Sequence, residues 1–185
     1  CHDCGLIFSK EYFSENFTID YYANIYNNFK RNKTSEELFK IRTAKTSLSW
    51  TRYNFIKNNL KEKFNEISIV MEPGCNDGCN LYPFLKNGKE VYGCDFDKQS
   101  ILQGKRAGIE IFKGGIEQLV QINKKADLII LSHLVGHVPY LDDLLKKVKD
   151  LLSPNGKIYI ETPGFKWWDE QKWWHYLNKN LLNFL

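Results

Sequence analysis

The sequence predicts an α/β fold in which helices cover both faces of a mostly parallel central sheet. From residue 67 onward, short apolar segments alternate with helical segments, and the links between them are short. Strands joined through helical crossovers pair in parallel and place the helices on the two faces of the sheet. A segment rich in aromatic residues at helical spacing precedes this alternation, so a three-layer sandwich with an N-terminal helical segment is expected.

The composition indicates a folded protein with a sizeable apolar core. Of 185 residues, 43% are hydrophobic, 15% aromatic and 26% charged, which excludes a disordered or fibrous chain. No stretch approaches the ~18 apolar residues of a membrane span. The net charge of +4 is scattered along the chain, whereas a nucleic-acid-binding protein more often clusters its basic residues on one face.

Cysteine usage points to a reducing compartment. The five cysteines show no framework spacing, and an odd number argues against a secreted disulfide scaffold. No signal peptide precedes the first elements. A cytoplasmic location is therefore expected.

The first residues contain half of a zinc-binding pattern. Cys1 and Cys4 form a C-x-x-C-G knuckle, and a tetrahedral zinc site needs four thiolate or imidazole ligands. Cys75 and Cys79 lie within or beside a glycine-rich loop and do not supply the second pair. We interpret residues 1–18 as the remnant of a zinc-knuckle-like segment, which either takes its other ligands from upstream or binds no metal in this chain.

Residues 19–64 are predicted to form an N-terminal helical lid. A break at residues 32–34 precedes Ser35, and two acidic residues after Ser35 are typical of a first helical turn. A long helix or helix pair then extends to about Leu60. Its candidate buried positions are Phe39, Ile41, Leu48, Trp50, Tyr53 and Ile56.

The strand–helix alternation predicts one domain over residues 65–164. The predicted strands are 67–72, 90–95, 109–112, 126–131 and 157–161. The predicted helices are a short one through Leu85 and segments 98–107, 117–122 and 141–152, with a turn at 153–156. The tail at 165–185 contains four tryptophans and is interpreted as the start of a substrate region.

A glycine-rich loop, E-P-G-C-N-D-G, follows the first strand. Gly74 and Gly78 allow the backbone to turn tightly and approach a ligand. The loop is neither a dinucleotide fingerprint nor a phosphate loop, because position 76 is asparagine and no Gly-Lys-Ser/Thr follows. The carboxylates of Glu72 and Asp77 would repel a pyrophosphate, but they suit a ligand with a cationic ammonium or sulfonium group.

The second strand ends at Asp95, 23 residues after Glu72. An acid at this position can accept hydrogen bonds from both hydroxyls of a ribose, and the neighbouring Phe96 can pack on an adenine face. The alternative for Asp95 is a helix cap, because aspartate is a favoured capping residue.

Four blocks in this order resemble class I S-adenosylmethionine-dependent methyltransferases: E-P-G-C-N-D-G, G-C-D, A-D-L-I-I-L-S-H-L-V-G-H-V and L-L-S-P-N-G-K-I-Y-I-E-T-P. The resemblance covers about residues 67–164 and implies a Rossmann-like domain. The leading knuckle, the aromatic helix and the loop asparagine resemble a subgroup with an N-terminal zinc knuckle that often modifies sugars or nucleotide sugars. Family members normally end with two further strands, so this chain is expected to be a truncated enzyme.

The resemblance also implies roles for single residues. The methionine part of the cofactor is expected to contact Glu72, Gly74, Cys75, Asn76 and Gly78. The ribose and adenine are expected to contact Asp95, Phe96, Gly115, Ile116 and Glu117. Ser132 and His133 would line the pocket near the methyl group. The chain departs from the pattern at Gly136, where a glutamate often precedes the histidine.

His133 and His137 are the candidate catalytic bases. They follow the fourth strand four residues apart, and a histidine can take the proton from an attacking hydroxyl or amine. Packing or a backbone hydrogen bond is the alternative role. Tyr22 or Tyr26 is expected to contact the cofactor's carboxylate, as the tyrosine-rich helix of the resembled subgroup implies; the alternative is that these side chains belong to the core.

The expected function is S-adenosylmethionine-dependent methyl transfer to a small-molecule acceptor, such as a sugar or nucleotide sugar, with neither nucleic acid nor membrane as partner. S-Adenosylmethionine is the expected cofactor. Zinc is a candidate second cofactor if the chain is part of a longer protein that supplies the missing ligands. Two alternatives stay open. One is a truncated or degenerate domain that binds cofactor without turnover. The other is an NAD-dependent oxidoreductase, against which the loop asparagine and its acidic neighbours argue.

Overall fold

The structure is a computed structural model of the chain, and it describes residues 13–25 and 33–162. The expected zinc half-site at Cys1 and Cys4, the side chain of Tyr26 and the tryptophan-rich tail at 165–185 lie outside the described residues. The boundaries predicted for the lid and the tail therefore stay predictions.

Five strands form one parallel sheet, which confirms the predicted fold class. They are β1 (Ile69–Pro73), β2 (Glu90–Asp95), β3 (Glu110–Lys113), β4 (Ala126–Ser132) and β5 (Leu152–Glu161). Their order is β3-β2-β1-β4-β5, and every neighbouring pair is parallel. Because the chain returns from one edge to place β4 beside β1, the topological switch point lies between these two strands.

Helices precede the sheet and connect its strands. The N-terminal ones are α1 (Glu15–Asp20), which continues as a π-helix (Tyr21–Ile25), then α2 (Ser35–Thr43) and α3 (Leu48–Leu60), which continues as a 3-10 helix (Lys61–Glu66). The connecting ones are α4 (Tyr82–Lys86), α5 (Lys98–Arg106), α6 (Glu117–Val120) and α7 (Leu141–Leu151). Within the described parts of the chain, no helix is long and apolar enough to cross a membrane.

The start of α2 is fixed by a reciprocal cap. The Thr34 side chain accepts a hydrogen bond from the Glu37 backbone, and the Glu37 carboxylate accepts one from the Thr34 backbone. The helix therefore begins at Ser35 as predicted, but the capping residue is Thr34. Such a box satisfies two backbone donors that a helix start otherwise leaves unpaired.

Alternate residues of the strands face two separate core layers, as in any pleated sheet. Val70 packs with the layer formed by α2 to α5, whereas Met71 packs with α6 and α7. Four of the six predicted core positions on α2 and α3 are buried: Phe39, Trp50, Tyr53 and Ile56. The predictions for Ile41 and Leu48 are wrong, since these side chains are 52% and 49% exposed. Ile41 follows Phe39 by two positions, about 200° around the helix, and Leu48 is the first residue of α3.

The fifth strand is longer than predicted. Residues 153–156 were expected to form a turn, but they lie within β5 as an irregular stretch between the Leu152–Ala126 and Lys157–Leu128 pairs. A Cβ at Gly156 would stand 2.8 Å from the Ala126 carbonyl oxygen. The Gly156 backbone therefore lies close to the backbone of β4, and the sequence predicted to form a turn before the strand forms an irregular, bulged part of β5 instead.

Candidate active site

A cavity of about 500 Å³ lies at the carboxyl ends of the strands. Its floor comes from the segments after β1, β2, β3 and β4, and one wall comes from α1 and the π-helix through Glu15, Thr18, Ile19 and Tyr22. The beginning of α7 closes the other side with Tyr140, Asp143, Leu144 and Lys147. Ligand sites of open α/β sheets lie at this edge, beside the switch point.

The cavity brings together most of the residues that the sequence singles out. Its lining includes Gly74, Asn76, Asp95, Phe96, Gly115, Ile116, Glu117, Ser132, His133 and His137. Three predicted cofactor residues, Glu72, Cys75 and Gly78, do not line it. Glu72 and Cys75 are buried, and Gly78 packs against Ile109 and Ile111 of the core. These three residues therefore have a structural role in the loop.

The loop after β1 is held against the end of β2. The backbone N–H groups of Gly74 and Cys75 both donate to the carbonyl of Cys94, at 2.8 and 3.1 Å. The thiol of Cys75 points into the core, where a Cβ at Gly93 would stand 2.4 Å from its sulfur. Cys75 therefore fits only because β2 carries a glycine beneath it. Burial raises the pKa of the Cys75 thiol, which favours the packing role over a nucleophilic one.

Three loop residues adopt left-handed backbone conformations. Gly74 has a φ of +69°, Asn76 a φ of +53° and Gly78 a φ of +74°. Asparagine tolerates this region better than most residues with a Cβ. In this conformation the Asn76 N–H donates to Oδ2 of Asp95 at 2.7 Å. The glycine-rich loop and the strand-end carboxylate thus form one hydrogen-bonded unit on the cavity wall.

Asp95 lies on the cavity wall and is not the helix cap considered from the sequence. The cap of α5 is Asp97, whose carboxylate accepts a hydrogen bond from the Ser100 backbone. Asp95 Oδ1 accepts from the Asp97 N–H at 2.9 Å. Burial raises the pKa of Asp95, and the N–H groups of Asp97 and Asn76 oppose that rise. The carboxylate is therefore oriented by backbone donors.

Glu72 is buried and behaves differently from the exposed carboxylate that the sequence suggests. It is 1% exposed, and burial raises its pKa to about 8 although Asn80 and Arg52 oppose the rise. Its Oε1 accepts a hydrogen bond from Asn80 Nδ2 at 2.8 Å, and its Oε2 has no hydrogen-bond partner among the described residues. At neutral pH the protonated form therefore predominates, so the negative charge beside the cavity comes from other acids.

A charged network missed by the sequence reasoning underlies this edge of the site. Arg52 on α3 makes a bidentate pair with Glu161 at the end of β5, with N–O distances of 2.5 and 2.9 Å. Its Nη1 also donates to Asn80 Oδ1 at 3.1 Å. Burial alone would raise the pKa of Glu161, but hydrogen bonds from His133, Arg52 and Tyr159 lower it to about 2. The network ties α3 to the sheet.

The two histidines occupy different environments. His133 has a left-handed φ of +54°, and its Nε2 lies 3.4 Å from both Glu161 Oε1 and Arg52 Nη2. His137 Nδ1 lies 2.9 Å from the Tyr22 hydroxyl. Burial, with a smaller contribution from the charge of His133, lowers the pKa of His137. Neutral imidazole is therefore the resting form of His137, as a general base requires.

Arg42 contacts the glycine-rich loop, although the sequence analysis did not identify it as a site residue. Its Nη1 donates to Asn76 Oδ1 at 3.0 Å and to Asp77 Oδ2 at 2.9 Å. Asp77, expected to face a cationic ligand, is 3% exposed and does not line the cavity. Arg42 and Arg52 lie on helices that precede the sheet, where no motif or spacing marks them as part of the site.

The side of the cavity formed by α6 and α7 carries a surface ion network. Glu117, a predicted cofactor residue, lies in the first turn of α6 and accepts a hydrogen bond from Lys147 at 2.7 Å. Lys147 also pairs with Asp143 of α7 at 2.5 Å. A Cβ at Gly115 would stand 2.5 Å from Glu117 Oε2, so a side chain at this position would require the Glu117 carboxylate to move. Within the described ranges, no group of three or more His, Cys, Asp or Glu residues is arranged to hold a metal ion.

Residues 18–184 match the model of a family described as a methyltransferase domain. The ubiquinone biosynthesis O-methyltransferase of Pelagibacter ubique is 27% identical over 124 residues, which are 60% of this chain and 52% of that protein. The tRNA U34 carboxymethyltransferase of Nautilia profundicola is 30% identical over 133 residues, which are 67% of this chain and 44% of that protein. This chain thus spans about half the length of these curated relatives.

Solved structures share the fold. The plantazolicin methyltransferase BamL, in complex with a triazolic desmethylPZN analog and SAH, matches with a TM-score of 0.61 and 21% identity over 77% of this chain and 54% of that one. A SAM dependent methyltransferase from Archaeoglobus fulgidus matches with a TM-score of 0.56 and 22% identity over 70% of this chain and 59% of that one. At these identities the likeness concerns the arrangement of strands and helices.

Proposed function

This chain belongs to the methyltransferase-domain family, and from that membership we propose that it transfers a methyl group from S-adenosylmethionine to a small-molecule acceptor. The observation that carries the proposal is the placement of Asp95. Asp95 lines the cavity at the end of β2, next to Phe96, and its carboxylate is hydrogen-bonded to Asn76 of the glycine-rich loop. A carboxylate in this place accepts hydrogen bonds from both ribose hydroxyls of a nucleoside.

The residues around the cavity fit this cofactor. Gly74 and Gly115 line the cavity, and a glycine lets the backbone approach a ligand closely. Phe96 offers an aromatic face for an adenine. Among the acids on the lining, Glu15 and Asp95 complement a ligand with ammonium and sulfonium charges, whereas Glu117 and Asp143 are paired with Lys147. When bound, S-adenosylmethionine supplies an electrophilic methyl group on a positively charged sulfur.

The chain's main contribution to the reaction is to hold donor and acceptor in line. Effective molarities of well-oriented reactants account for roughly 7–11 kcal/mol of a barrier. The α1 and π-helix wall, together with the start of α7, encloses the side of the cavity beyond His133. An acceptor held there lies between this wall and the methyl group.

His137 is the proposed general base. When its Nδ1–H is donated to the Tyr22 oxygen, Nε2 keeps the lone pair that takes a proton from the acceptor's hydroxyl or amine. Its lowered pKa keeps the ring neutral before the reaction. His133 is the weaker candidate, because its Nε2 is directed at Glu161 and Arg52.

A sugar or nucleotide sugar is the proposed acceptor, and the protein acts in the cytoplasm without nucleic acid or membrane as partner. The support for the acceptor is the sequence resemblance to sugar-modifying methyltransferases, together with a cavity of about 500 Å³. The support for excluding nucleic acid is the scattered charge. The location rests on the free cysteines Cys75, Cys79 and Cys94, as expected for a reducing compartment.

Calorimetric titration with S-adenosylmethionine, S-adenosylhomocysteine and NAD tests the cofactor proposal. We expect saturable binding of the first two, no binding of NAD, and at least tenfold weaker binding in Asp95→Ala. Asp150→Ala is the matched control, since it removes an exposed carboxylate outside the cavity lining. Binding of NAD alone would favour the oxidoreductase alternative.

Turnover is tested separately, by measuring S-adenosylhomocysteine formation with hydroxyl and amino sugars, both free and as nucleotide sugars. Methylation of any of these supports the acceptor class. Cofactor binding without turnover on the whole panel would favour the alternative of a non-catalytic cofactor-binding domain.

A further inference from the structure

Arg42 reaches the cofactor loop from a helix that belongs to neither the sheet nor its connections. One nitrogen, Nη1, donates to both Asn76 Oδ1 and Asp77 Oδ2. The carboxylate of Asp77 is 4% exposed, whereas the Arg42 side chain is 40% exposed. The arginine therefore covers a buried acid and the loop asparagine together, and it does not itself line the cavity.

The residue that Arg42 holds is in a backbone conformation that costs free energy. Asn76 has a φ of +53°, in the left-handed region where residues other than glycine are uncommon. A glycine at this position would need no anchor, because glycine populates the left-handed region readily. The hydrogen bond from the Arg42 guanidinium to Asn76 Oδ1 holds the Asn76 side chain in place. It thereby stabilises the left-handed conformation and offsets its cost.

The conformation of Asn76 also affects the orientation of the Asp95 carboxylate. In the left-handed conformation the Asn76 N–H points at Asp95 and donates to Oδ2 at 2.7 Å, while the Asp97 N–H donates to Oδ1. Rotation of Asn76 out of this conformation would remove one of the two donors that orient Asp95. Arg42, Asn76 and Asp95 thus form a linear chain of contacts from α2 to the cavity.

We propose that Arg42 is a positioning residue for the nucleoside site: it anchors Asn76 in the left-handed conformation whose N–H orients the Asp95 carboxylate. The inference rests on the proposed function for the identity of the ligand, but the anchoring itself is a property of the ligand-free chain. It also assigns α2 a part in the site, in addition to its packing on the sheet.

The first test is amide hydrogen exchange at Asn76, measured by NMR on the ligand-free protein. Arg42→Ala is expected to raise the exchange rate of this amide at least tenfold. Lys40→Ala is the matched control, because Lys40 lies on the same helix and pairs with the exposed Glu36. The exchange rate of the Asn76 amide in this variant should equal that of wild type. Exchange at Asn76 that stays at the wild-type rate in Arg42→Ala would overturn the proposal.

The second test is rescue. Arg42→Ala is expected to weaken S-adenosylhomocysteine binding roughly tenfold, as the loss of one hydrogen bond to a charged group does. The double variant Arg42→Ala/Asn76→Gly should regain affinity, since glycine adopts the left-handed conformation without an anchor. If affinity falls in Arg42→Ala and the glycine restores none of it, the effect runs through Asp77 and the proposal is wrong. Circular dichroism establishes that each variant is folded.

The two proposals fail in different ways. Wild-type protein that does not bind S-adenosylhomocysteine contradicts the proposed function, whereas the exchange measurement at Asn76 still decides whether Arg42 anchors the loop. Wild-type binding with unaltered exchange and affinity in Arg42→Ala keeps the function and rejects the anchor.

Discussion

The hydroxyl of Tyr22 lies 2.9 Å from Nδ1 of His137, with the two rings edge to face. This contact joins the π-helix that precedes the sheet to the loop that follows β4. The sequence analysis expected Tyr22 or Tyr26 at the cofactor's carboxylate and named His133 and His137 as candidate bases. The structure instead brings Tyr22 against His137, so a residue of the segment before the sheet is a hydrogen-bond partner of this histidine.

We expect His137→Gln to lower the rate of methyl transfer by roughly a hundredfold or more, the usual contribution of a general base. Affinity for S-adenosylhomocysteine should change little, because His137 is not proposed to hold the cofactor. Tyr22→Phe should lower the rate in the same direction. Tyr21→Phe removes the adjacent hydroxyl outside the cavity lining and is the control. An unchanged rate in His137→Gln would show that proximity alone suffices.

The rate should also depend on pH with a defined sign. Burial lowers the pKa of His137 below its ordinary value of 6.5, so the neutral form persists to a lower pH than in a free histidine. Turnover is therefore expected to be constant above about pH 6.5 and to fall only below it. A rate profile measured across this range checks the prediction, and a decline that begins well above pH 6.5 would contradict it.

Arg52→Ala should strongly destabilise the fold. Arg52 and Glu161 side chains are 12% and 18% exposed, and removing one partner of a buried pair costs about 3 kcal/mol or more. The free energy of unfolding in urea measures the effect. Lys40→Ala breaks a pair between exposed side chains on α2 and should leave the unfolding curve almost unchanged. Equal effects of the two substitutions would show that the buried network contributes nothing.

Acid should destabilise the chain through Glu161. Its pKa is lowered from 4.5 to about 2 in the folded protein, so the folded state binds its proton less readily than the unfolded state does. This contribution to stability is present above pH 4.5 and is lost as the pH falls toward 2. The loss measured in wild type between these values should be smaller in Glu161→Gln.

The contribution of Glu72 to stability should have the opposite pH dependence to that of Glu161. Its pKa is raised from 4.5 to about 8, so its contribution is present below pH 4.5 and is lost as the pH rises through 8. Glu72→Gln keeps an acceptor for Asn80 and has no charge to bury. The variant should therefore unfold at a higher urea concentration than wild type at about pH 9 and at a similar concentration at about pH 5. If the difference in unfolding midpoint between Glu72→Gln and wild type is the same at both pH values, the pKa of Glu72 is not raised.

Gly93→Ala should disturb the cofactor loop from below. The added Cβ would stand 2.4 Å from the Cys75 sulfur, and overpacking of this kind costs roughly 1–3 kcal/mol. Weaker S-adenosylhomocysteine binding is expected as well, because Cys75 carries the loop. Cys75→Ala in the same chain should restore part of both losses by removing the sulfur. Gly136→Ala, with no atom within 4 Å of the new Cβ, is the control.

The sequence predicted the sheet well because strand periodicity and short links are local signals. β2 was predicted with its observed bounds, and Asp95 was recognised from its distance to the loop. The parts it missed are long-range pairs. The partners of Arg42 lie at least 34 positions away in the sequence, and those of Arg52 at least 28 positions away. No local sequence feature distinguishes these two residues from surface arginines. Glu72 was recognised as a motif residue, but its neutral state depends on burial that only the assembled core provides.

The contacts that complete the site impose an order on its assembly during synthesis. Arg52 and Glu161 are separated by 109 positions, and Tyr22 and His137 by 115. A chain that leaves the ribosome from its N-terminus can pair β1 with β2, and β2 with β3, early, since these segments adjoin in sequence. The β4 and β5 side, with both histidines, is added last. Until residue 161 has emerged, Arg52 and the loop face water, so we expect the nascent chain to acquire ligand-binding ability abruptly and late.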